Sequence, residues 1–254
     1  QGHYDEAIGY FDRGLAIARE IGDRAAEGMM LTNLGRVAWH QGQYARAISS
    51  HRQSLSIGLA IGDRDVEVNA LTNLGLVAEC QEQYDQARHY YQQSLDARQE
   101  IGDRSGEGIV LNHLGAVALI CSEYHLAERC LRRALDIRRE LGQSHYQVED
   151  WAGLALAAVR QGDRETAEAW AAQLLAAWLA SPAFDRADQP VRTLYFTWQV
   201  CRDLALAEVD GVLNAAGNAL QRWMGDHPDR EAQSLYLQQP YHRALWDAWQ
   251  TKGT

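Results

Sequence analysis

The stretch Ile61-Gly62-Asp63-Arg64, with Leu71-Thr72-Asn73-Leu74-Gly75 close behind it, decides the fold, because both parts recur along the chain. The copies lie 40 residues apart and keep a single register. They are Gly22-Asp23-Arg24, Gly102-Asp103-Arg104, Leu31-Thr32-Asn33-Leu34-Gly35 and Leu111-Asn112-His113-Leu114-Gly115. A repeat of this kind predicts a solenoid, in which each unit buries its apolar face against its neighbours.

Each repeat is predicted to form two helices. Leu31, Leu34 and Val37 have the spacing of one apolar helix face, and a second such face begins at Tyr44. The glycine column that starts at Gly22 is predicted to hold left-handed residues that end a helix. The aspartate after each of these glycines is predicted to cap the next helix with its carboxylate.

The composition predicts an acidic, cytoplasmic protein. The formal net charge is −10, which argues against a nucleic-acid partner, because phosphate backbones favour basic surfaces. No apolar run is long enough to span a bilayer and no signal peptide is visible, so we expect no membrane partner. The four cysteines show no CxxC pairing, which is typical of reduced side chains in the cytosol. The arginine pairs Arg132-Arg133 and Arg138-Arg139 are predicted to form a solvated helix face.

The residues at the turn between the two helices have a recognisable order. They are Leu34-Gly35, Ala38, Gly42, Tyr44, Ala47 and Ser54. This order resembles the tetratricopeptide repeat, whose usual unit is about 34 residues. The longer unit seen here resembles that of kinesin light chain and related long-repeat adaptors. The resemblance implies an all-α fold, a right-handed tetratricopeptide superhelix (α-solenoid) of about five helix pairs with a C-terminal helical cap.

The chain divides into regular units, a degenerate pair and a cap. Residues 1–180 are predicted as regular units, 187–224 as a degenerate helix pair and 229–254 as cap helices. The regular units are 1–21, 24–61, 64–101, 104–141 and 144–180. The first of them matches only the second helix of a repeat, so we expect further repeats or another domain upstream. Ser181-Pro182 is predicted to end the last regular helix, and Asp226-His227-Pro228-Asp229 to break the chain before the cap.

The end of the chain carries a second resemblance. Ser234-Leu235-Tyr236-Leu237, Pro240-Tyr241-His242-Arg243-Ala244-Leu245 and Trp249 resemble the closing segment of C-terminal sensor regions in bacterial STAND-class ATPases and related transcription activators. The segment departs from that pattern in having Tyr236 in place of phenylalanine and in being one residue shorter before Pro240. The resemblance implies a bacterial signalling protein whose nucleotide switch lies upstream, since this chain has no GxxxxGK[ST] loop.

No motif for catalysis or metal binding stands out. HExxH and GxSxG are absent, and the nine histidines are scattered without the spacing of metal ligands. We therefore expect no enzyme activity, no cofactor and no metal site. Glu27, Glu67 and Glu107 form a column of one carboxylate per repeat, which is predicted to favour helix starts or to pair with neighbouring arginines.

The resemblance to tetratricopeptide repeats places the first helix of each pair on a concave face that binds extended peptides. In related adaptors an asparagine in this column hydrogen-bonds the peptide backbone, because a carboxamide offers both a donor and an acceptor. Arg36, Glu79 and His113 are expected to select side chains. The full set of candidates is Asn33, Arg36, Trp39, Asn69, Thr72, Asn73, Glu79, Asn112 and His113. The alternative is that the asparagines tie one repeat to the next through hydrogen bonds between helices.

The leading functional prediction is a protein- or peptide-binding scaffold that forms the ligand-sensing or partner-binding end of a larger bacterial signal-transduction protein. One alternative is a sensor of a small, sugar-like molecule, because seven of the eight tryptophans lie after residue 150 and sugars stack on aromatic faces. The simpler explanation of these tryptophans is an apolar seal over the last repeat. Another alternative is a structural self-association module.

Overall fold

The computed structural model describes residues 2–181, 184, 187, 189–226 and 230–252. Within these ranges it contains thirteen α-helices, one short 3-10 turn and no strand. Consecutive helices pack against each other as pairs. The predicted all-α fold of stacked helix pairs is therefore confirmed.

The helices follow the predicted repeat closely. Their bounds are α1 Gly2–Ile21, α2 Arg24–His40, α3 Tyr44–Ile61, α4 Arg64–Cys80, α5 Tyr84–Ile101, α6 Arg104–Ile120, α7 Tyr124–Glu140, α8 Gln147–Gln161, α9 Arg164–Ala180, α10 Pro190–Asp203, α11 Val209–Asp226, α12 Arg230–Gln238 and α13 Pro240–Lys252. The 3-10 turn, Ser144–Tyr146, leads into α8. The pairs α2–α3, α4–α5, α6–α7 and α8–α9 have the same design, and α10 and α11 come after them along the chain.

The chain forms two compact units. Unit 1 contains α1 to α5 together with α12, and unit 2 contains α6 to α11 together with α13. The two helices of the predicted cap, α12 and α13, thus belong to different units. The predicted chain breaks at Pro182 and Pro228 lie outside the described residues.

Helix ends in the repeats use the glycine and the aspartate as predicted. Gly22 and Gly62 have φ angles of 73° and 69°, a left-handed conformation that an L side chain rarely adopts. The Asp63 carboxylate accepts a hydrogen bond from the Val66 backbone N–H at 3.0 Å. That bond satisfies one of the unpaired donors at the start of α4, so one helix stops and the next begins within three residues.

The two helices of a pair approach closely at a second glycine column. The Gly35 backbone lies under the His51 ring, and an added Cβ would sit 2.5 Å from a ring carbon. Gly75 lies in the same way under the ring of Tyr91, which is fully buried. In unit 2 a Cβ on Gly115 would sit 2.6 Å from Leu131 Cγ. A side chain at this column would separate the paired helices, which explains the glycine in each copy.

The glutamate column forms ion pairs at the helix starts. Arg64 donates to Glu67 at 2.8 Å, and Arg104 donates to Glu107 at 2.6 Å. Arg24 pairs with Glu27 in the same way. The arginines are half-exposed, so each pair adds modestly to stability. These glutamates therefore stabilise the scaffold by pairing with neighbouring arginines, which is one of their two predicted roles.

Aromatic side chains in the last part of unit 2 pack against neighbouring helices of the same unit. The Trp178 ring lies on Gly211 of α11, and the Trp249 ring lies on Gly217 of the same helix. Tyr241 of α13 contacts Tyr195 of α10, with ring centroids 5.4 Å apart. This packing favours the apolar-seal explanation of the tryptophan-rich region.

The close approach at the glycine column predicts the effect of a single methyl group. Gly75→Ala should lower the free energy of unfolding by about 1–3 kcal/mol, because the new Cβ overlaps the buried Tyr91 ring. Gly9→Ala, in α1, should instead raise it by about 0.5–1 kcal/mol, since nothing lies within 4 Å of the added Cβ. Denaturant titration of both variants and the wild type measures the difference. Equal effects would show that the approach at Gly75 is not tight.

Candidate peptide-binding face

The first helices of two repeats are neighbours in unit 1. α2 packs against α3 and α4, and α3 also packs against α4. Side chains spaced by three and four residues share one face of a helix. We use the name first-helix face for the residues with this spacing on the two helices: Met29, Asn33 and Arg36 on α2, and Asn69, Asn73 and Leu76 on α4.

The first-helix face is polar and partly open. Arg36 and Asn69 are exposed, and Asn33 and Asn73 are half-buried. Met29 is 52% exposed, which is high for a large apolar side chain. Four of the predicted contact residues therefore lie together on this face, at equivalent positions of neighbouring repeats.

The amides on α4 are oriented by hydrogen bonds within unit 1. The Asn73 side chain donates to the Asn69 backbone carbonyl at 2.8 Å. The Asn69 side-chain oxygen accepts from the Arg98 guanidinium at 3.1 Å, and Arg98 is itself paired with Asp103. These two bonds leave the Asn73 side-chain oxygen, an acceptor, and the Asn69 side-chain N–H groups, donors, unused.

α2 presents its polar groups differently. In the described part of the chain, neither Asn33 nor Arg36 has a hydrogen-bond or ion-pair partner. The His51 ring packs on the Gly35 backbone of α2. Burial, together with the nearby charge of Arg36, lowers the pKa of His51 to about 4. His51 is therefore neutral at neutral pH, and Arg36 carries the positive charge at this point of the face.

Three predicted contact residues of unit 1 lie between helices instead. The Trp39 indole N–H donates to Cys80 Sγ at 3.3 Å. The Thr72 hydroxyl donates to the Val68 carbonyl at 2.8 Å and lies 2.8 Å from the Ser94 hydroxyl. The Tyr91 hydroxyl donates to Glu79 at 2.8 Å, and Glu79 is only 5% exposed. The structure uses these three side chains to join helices, so their binding role stays a prediction.

The two predicted residues of unit 2 are also buried. The Asn112 amide nitrogen donates to Asp150 at 2.7 Å, and its oxygen accepts from Arg192 at 2.6 Å. His113 Nδ1 lies 3.0 Å from the Arg192 guanidinium. At this position the column ties α6 to α8 and α10, which is the structural alternative left open by the sequence.

These contacts belong to a buried group of charges in unit 2 that the sequence did not predict. Arg138, predicted to lie on a solvated face, is 1% exposed and donates to Asp150 at 2.8 Å. That prediction was wrong, because Asp150 on α8 lies close enough to hold the guanidinium inside. Glu149 lies 3.8 Å from both Arg138 and Arg192. No sequence motif links residues so far apart along the chain, and Arg138 is followed by the exposed Arg139, so the sequence gives no sign of its burial.

Burial changes the titration of Asp150. The pKa of this carboxyl is raised to about 7, mainly by loss of hydration and to a smaller degree by the charge of Glu149. The attraction of Arg138 and the hydrogen bond from Asn112 oppose this rise. The groups that face Asp150 thus come from α6, α7 and α8, so its protonation affects the joint between three helices.

The comparisons with known proteins agree with this geometry. Residues 1–60, 27–100 and 66–119 match the tetratricopeptide repeat, and residues 110–146 match a second profile of the same repeat. Together these matches cover more than half of the chain. The chain belongs to the tetratricopeptide repeat family. No curated protein matches it in sequence.

Several solved structures share its fold. BtubC (BKLC) from P. vanneervenii is 16% identical with a TM-score of 0.65, over 89% of this chain and 94% of that one. A putative kinesin light chain from Podosopora anserina is 13% identical with a TM-score of 0.55, over 78% and 96%. A Rap protein complexed with Competence and Sporulation Factor is 14% identical with a TM-score of 0.65, over 99% and 71%. At these identities the likeness concerns the fold.

Neither a membrane-spanning helix nor a cluster of metal ligands occurs among the described residues. None of their helices combines the length and the apolar character needed to cross a membrane. They contain no group of three or more histidine, cysteine, aspartate or glutamate side chains placed to hold a metal ion.

The buried carboxyl predicts a pH dependence of stability. The folded-state pKa of Asp150, about 7, lies above its ordinary value of 3.8. The stability that the protonated Asp150 contributes to the fold is therefore complete below pH 3.8 and is lost as the pH rises through about 7. Relative to Asp150→Asn, the wild type should lose about 2 kcal/mol of unfolding free energy between about pH 5 and pH 8.

Denaturant titrations of both proteins at the two pH values measure this loss. Asp136→Asn, which changes an exposed carboxylate on α7, is the control and should follow the wild type at both pH values. A wild type that gains stability relative to Asp150→Asn at the higher pH would show that the attraction of Arg138 outweighs burial.

Proposed function

We propose that this tetratricopeptide chain is a protein-binding scaffold that holds an extended peptide on the first-helix face of unit 1. The observation that carries the proposal is the partly open set of amides on two neighbouring helices, with Asn33 and Arg36 lacking partners among the described residues. A related fold, the Rap protein, was solved in complex with Competence and Sporulation Factor, which supports a binding role.

The chemistry of the face suits a peptide backbone. An extended peptide exposes N–H and C=O groups along its length, and a carboxamide side chain can pair with either. Asn33 and Asn73 occupy equivalent positions of adjacent repeats, so both can hold one backbone whatever its sequence. Arg36 then adds a charge that distinguishes one side chain from another. Asn112 and His113 are left out of this proposed surface, because both are held by Arg192.

We further propose that the chain is the ligand-sensing or partner-binding end of a larger signal-transduction protein of the STAND type, and that upstream domains of that polypeptide are its second partner. The support is the closing segment with Pro240, His242 and Arg243. Pro240 begins α13, and His242 is 7% exposed, so the part of the segment from Pro240 onward is folded into unit 2.

The sugar-like sensor finds no comparable support. The rings of Trp178 and Trp249 lie against the backbones of Gly211 and Gly217, where they contact protein rather than an open site. Peptide binding is therefore the function that the described residues support best.

The proposed function is tested with a double variant, Asn33→Ala with Asn73→Ala. Peptides selected on the wild type from a phage-displayed library of random short peptides serve as probes. Loss of two backbone hydrogen bonds should raise their Kd by about 10-fold or more, at about 1 kcal/mol each. The melting temperature should stay within about 2 °C of the wild type, because the only side-chain hydrogen bond lost among the described residues is the exposed one from Asn73 to the Asn69 carbonyl within α4.

Thr32→Val, next to Asn33 on α2, is the matched control. It removes the buried hydroxyl that lies 2.8 Å from the Ser54 hydroxyl, so it should lower the melting temperature by about 4 °C or more while the Kd stays unchanged. A sharp fall in melting temperature for the asparagine variant would make the asparagines structural. An unchanged Kd in that variant would place peptide binding elsewhere.

A further inference from the structure

Three side chains of α2 form one stripe with distinct chemistry. Met29, Asn33 and Arg36 are spaced by four and three residues, which places them in a row along the helix. The row therefore presents a thioether, a carboxamide and a guanidinium in that order. Met29 and Arg36 are exposed and Asn33, between them, is half-buried.

Arg36 is available for a carboxylate. Four other arginines of unit 1, namely Arg19, Arg24, Arg64 and Arg98, are held in ion pairs, whereas the exposed Arg46 and Arg52 on α3 have none among the described residues. Arg36 has no such partner in the described ranges, although the chain carries a formal net charge of −10. A guanidinium offers several donors in a planar fork that matches a carboxylate. The charge of this site is thus complementary to an acidic group from outside.

Met29 offers an apolar contact at the other end of the row. The repeat does not need an apolar residue at the position of Met29, because the equivalent residue in the next unit is Asn69. Methionine adapts its shape to varied apolar surfaces, and this one is 52% exposed. An aliphatic side chain placed on it would remove apolar surface from water.

The distance along the row fixes the spacing of a ligand. Seven residues of α-helix separate Met29 from Arg36, which is about 10 Å. A peptide in the polyproline II conformation rises about 3.1 Å per residue and returns to the same side every third residue. Two of its side chains three residues apart, about 9 Å, therefore reach both ends of the row. This conformation has no internal hydrogen bonds, so its backbone groups remain open to Asn33.

We propose that the ligand of the first-helix face is a peptide segment in the polyproline II conformation that carries an aliphatic side chain and an aspartate or glutamate three residues apart. The aliphatic side chain lies on Met29, the carboxylate binds Arg36 and the backbone between them bonds to Asn33. This inference rests on the proposed function and adds the class of peptide to it.

The test is a set of parallel selections from one phage-displayed library of random short peptides. The wild type should enrich peptides with an aliphatic and an acidic residue three positions apart. Arg36→Glu should lose the acidic preference and acquire a basic one, and Met29→Ser should lose the aliphatic preference while keeping the acidic one. Arg52→Glu, which reverses the charge of an exposed arginine on α3, should select the same peptides as the wild type.

Binding constants of the best wild-type peptide complete the test. Its Kd should rise by about 10-fold or more on Arg36→Glu and change less than about 2-fold on Arg52→Glu. If the peptides selected on the wild-type protein have no acidic position, or have a different spacing, the inference is overturned. The proposed function then still stands, provided that binding of those peptides depends on Asn33. A selection that enriches no peptide on the folded wild type would overturn both.

Discussion

The close approach of two helices at a glycine is the constraint on which the rest of the structure depends. Gly35 and Gly75 admit the rings of His51 and Tyr91 directly onto the backbone of the first helix. One side of each first helix therefore packs against the second helix of its own pair, and another side packs against the next repeat, as α2 packs against α3 and α4. What remains of α2 and α4 is a narrow strip that packing does not require. The first-helix face consists of this strip, so the scaffold and its candidate site follow from one steric condition.

One column of the repeat serves two purposes, and the neighbours decide which. Asn33 and Asn73 in unit 1 are half-buried, whereas Asn112 in unit 2 is 3% exposed. The difference comes from Arg192 and Asp150, which hold the third amide by charge-assisted hydrogen bonds. Equivalent residues in a repeat protein therefore need not have equivalent functions. The repeat fixes where a side chain lies, and the residues around it determine whether it is free to meet a ligand.

The sequence predicts what is local and repeated, and misses what depends on distant partners. The register, the left-handed Gly62 and the cap at Asp63 follow from rules that involve a few adjacent residues, so they could be predicted. The burial of Arg138 could not, because it depends on Asp150 in another helix. The same limit applies within the candidate site: Glu79 has the right position for a ligand contact, but Tyr91 on the paired helix already binds it. The sequence predicts which residues occupy equivalent positions of the repeat, but it does not predict their hydrogen-bond partners on other helices.

The division of labour on the first-helix face follows from the size of the interactions. A neutral hydrogen bond exchanged with water contributes only about 1 kcal/mol, so amides on two helices hold a peptide weakly and without preference for sequence. A charge-assisted bond to a guanidinium is about twice as strong and needs a carboxylate in one place. Selectivity therefore depends on Arg36 and Met29 rather than on the asparagines. Strong binding then requires contacts at both ends of the row at once, since neither an apolar contact nor one ion pair at an exposed site is sufficient by itself.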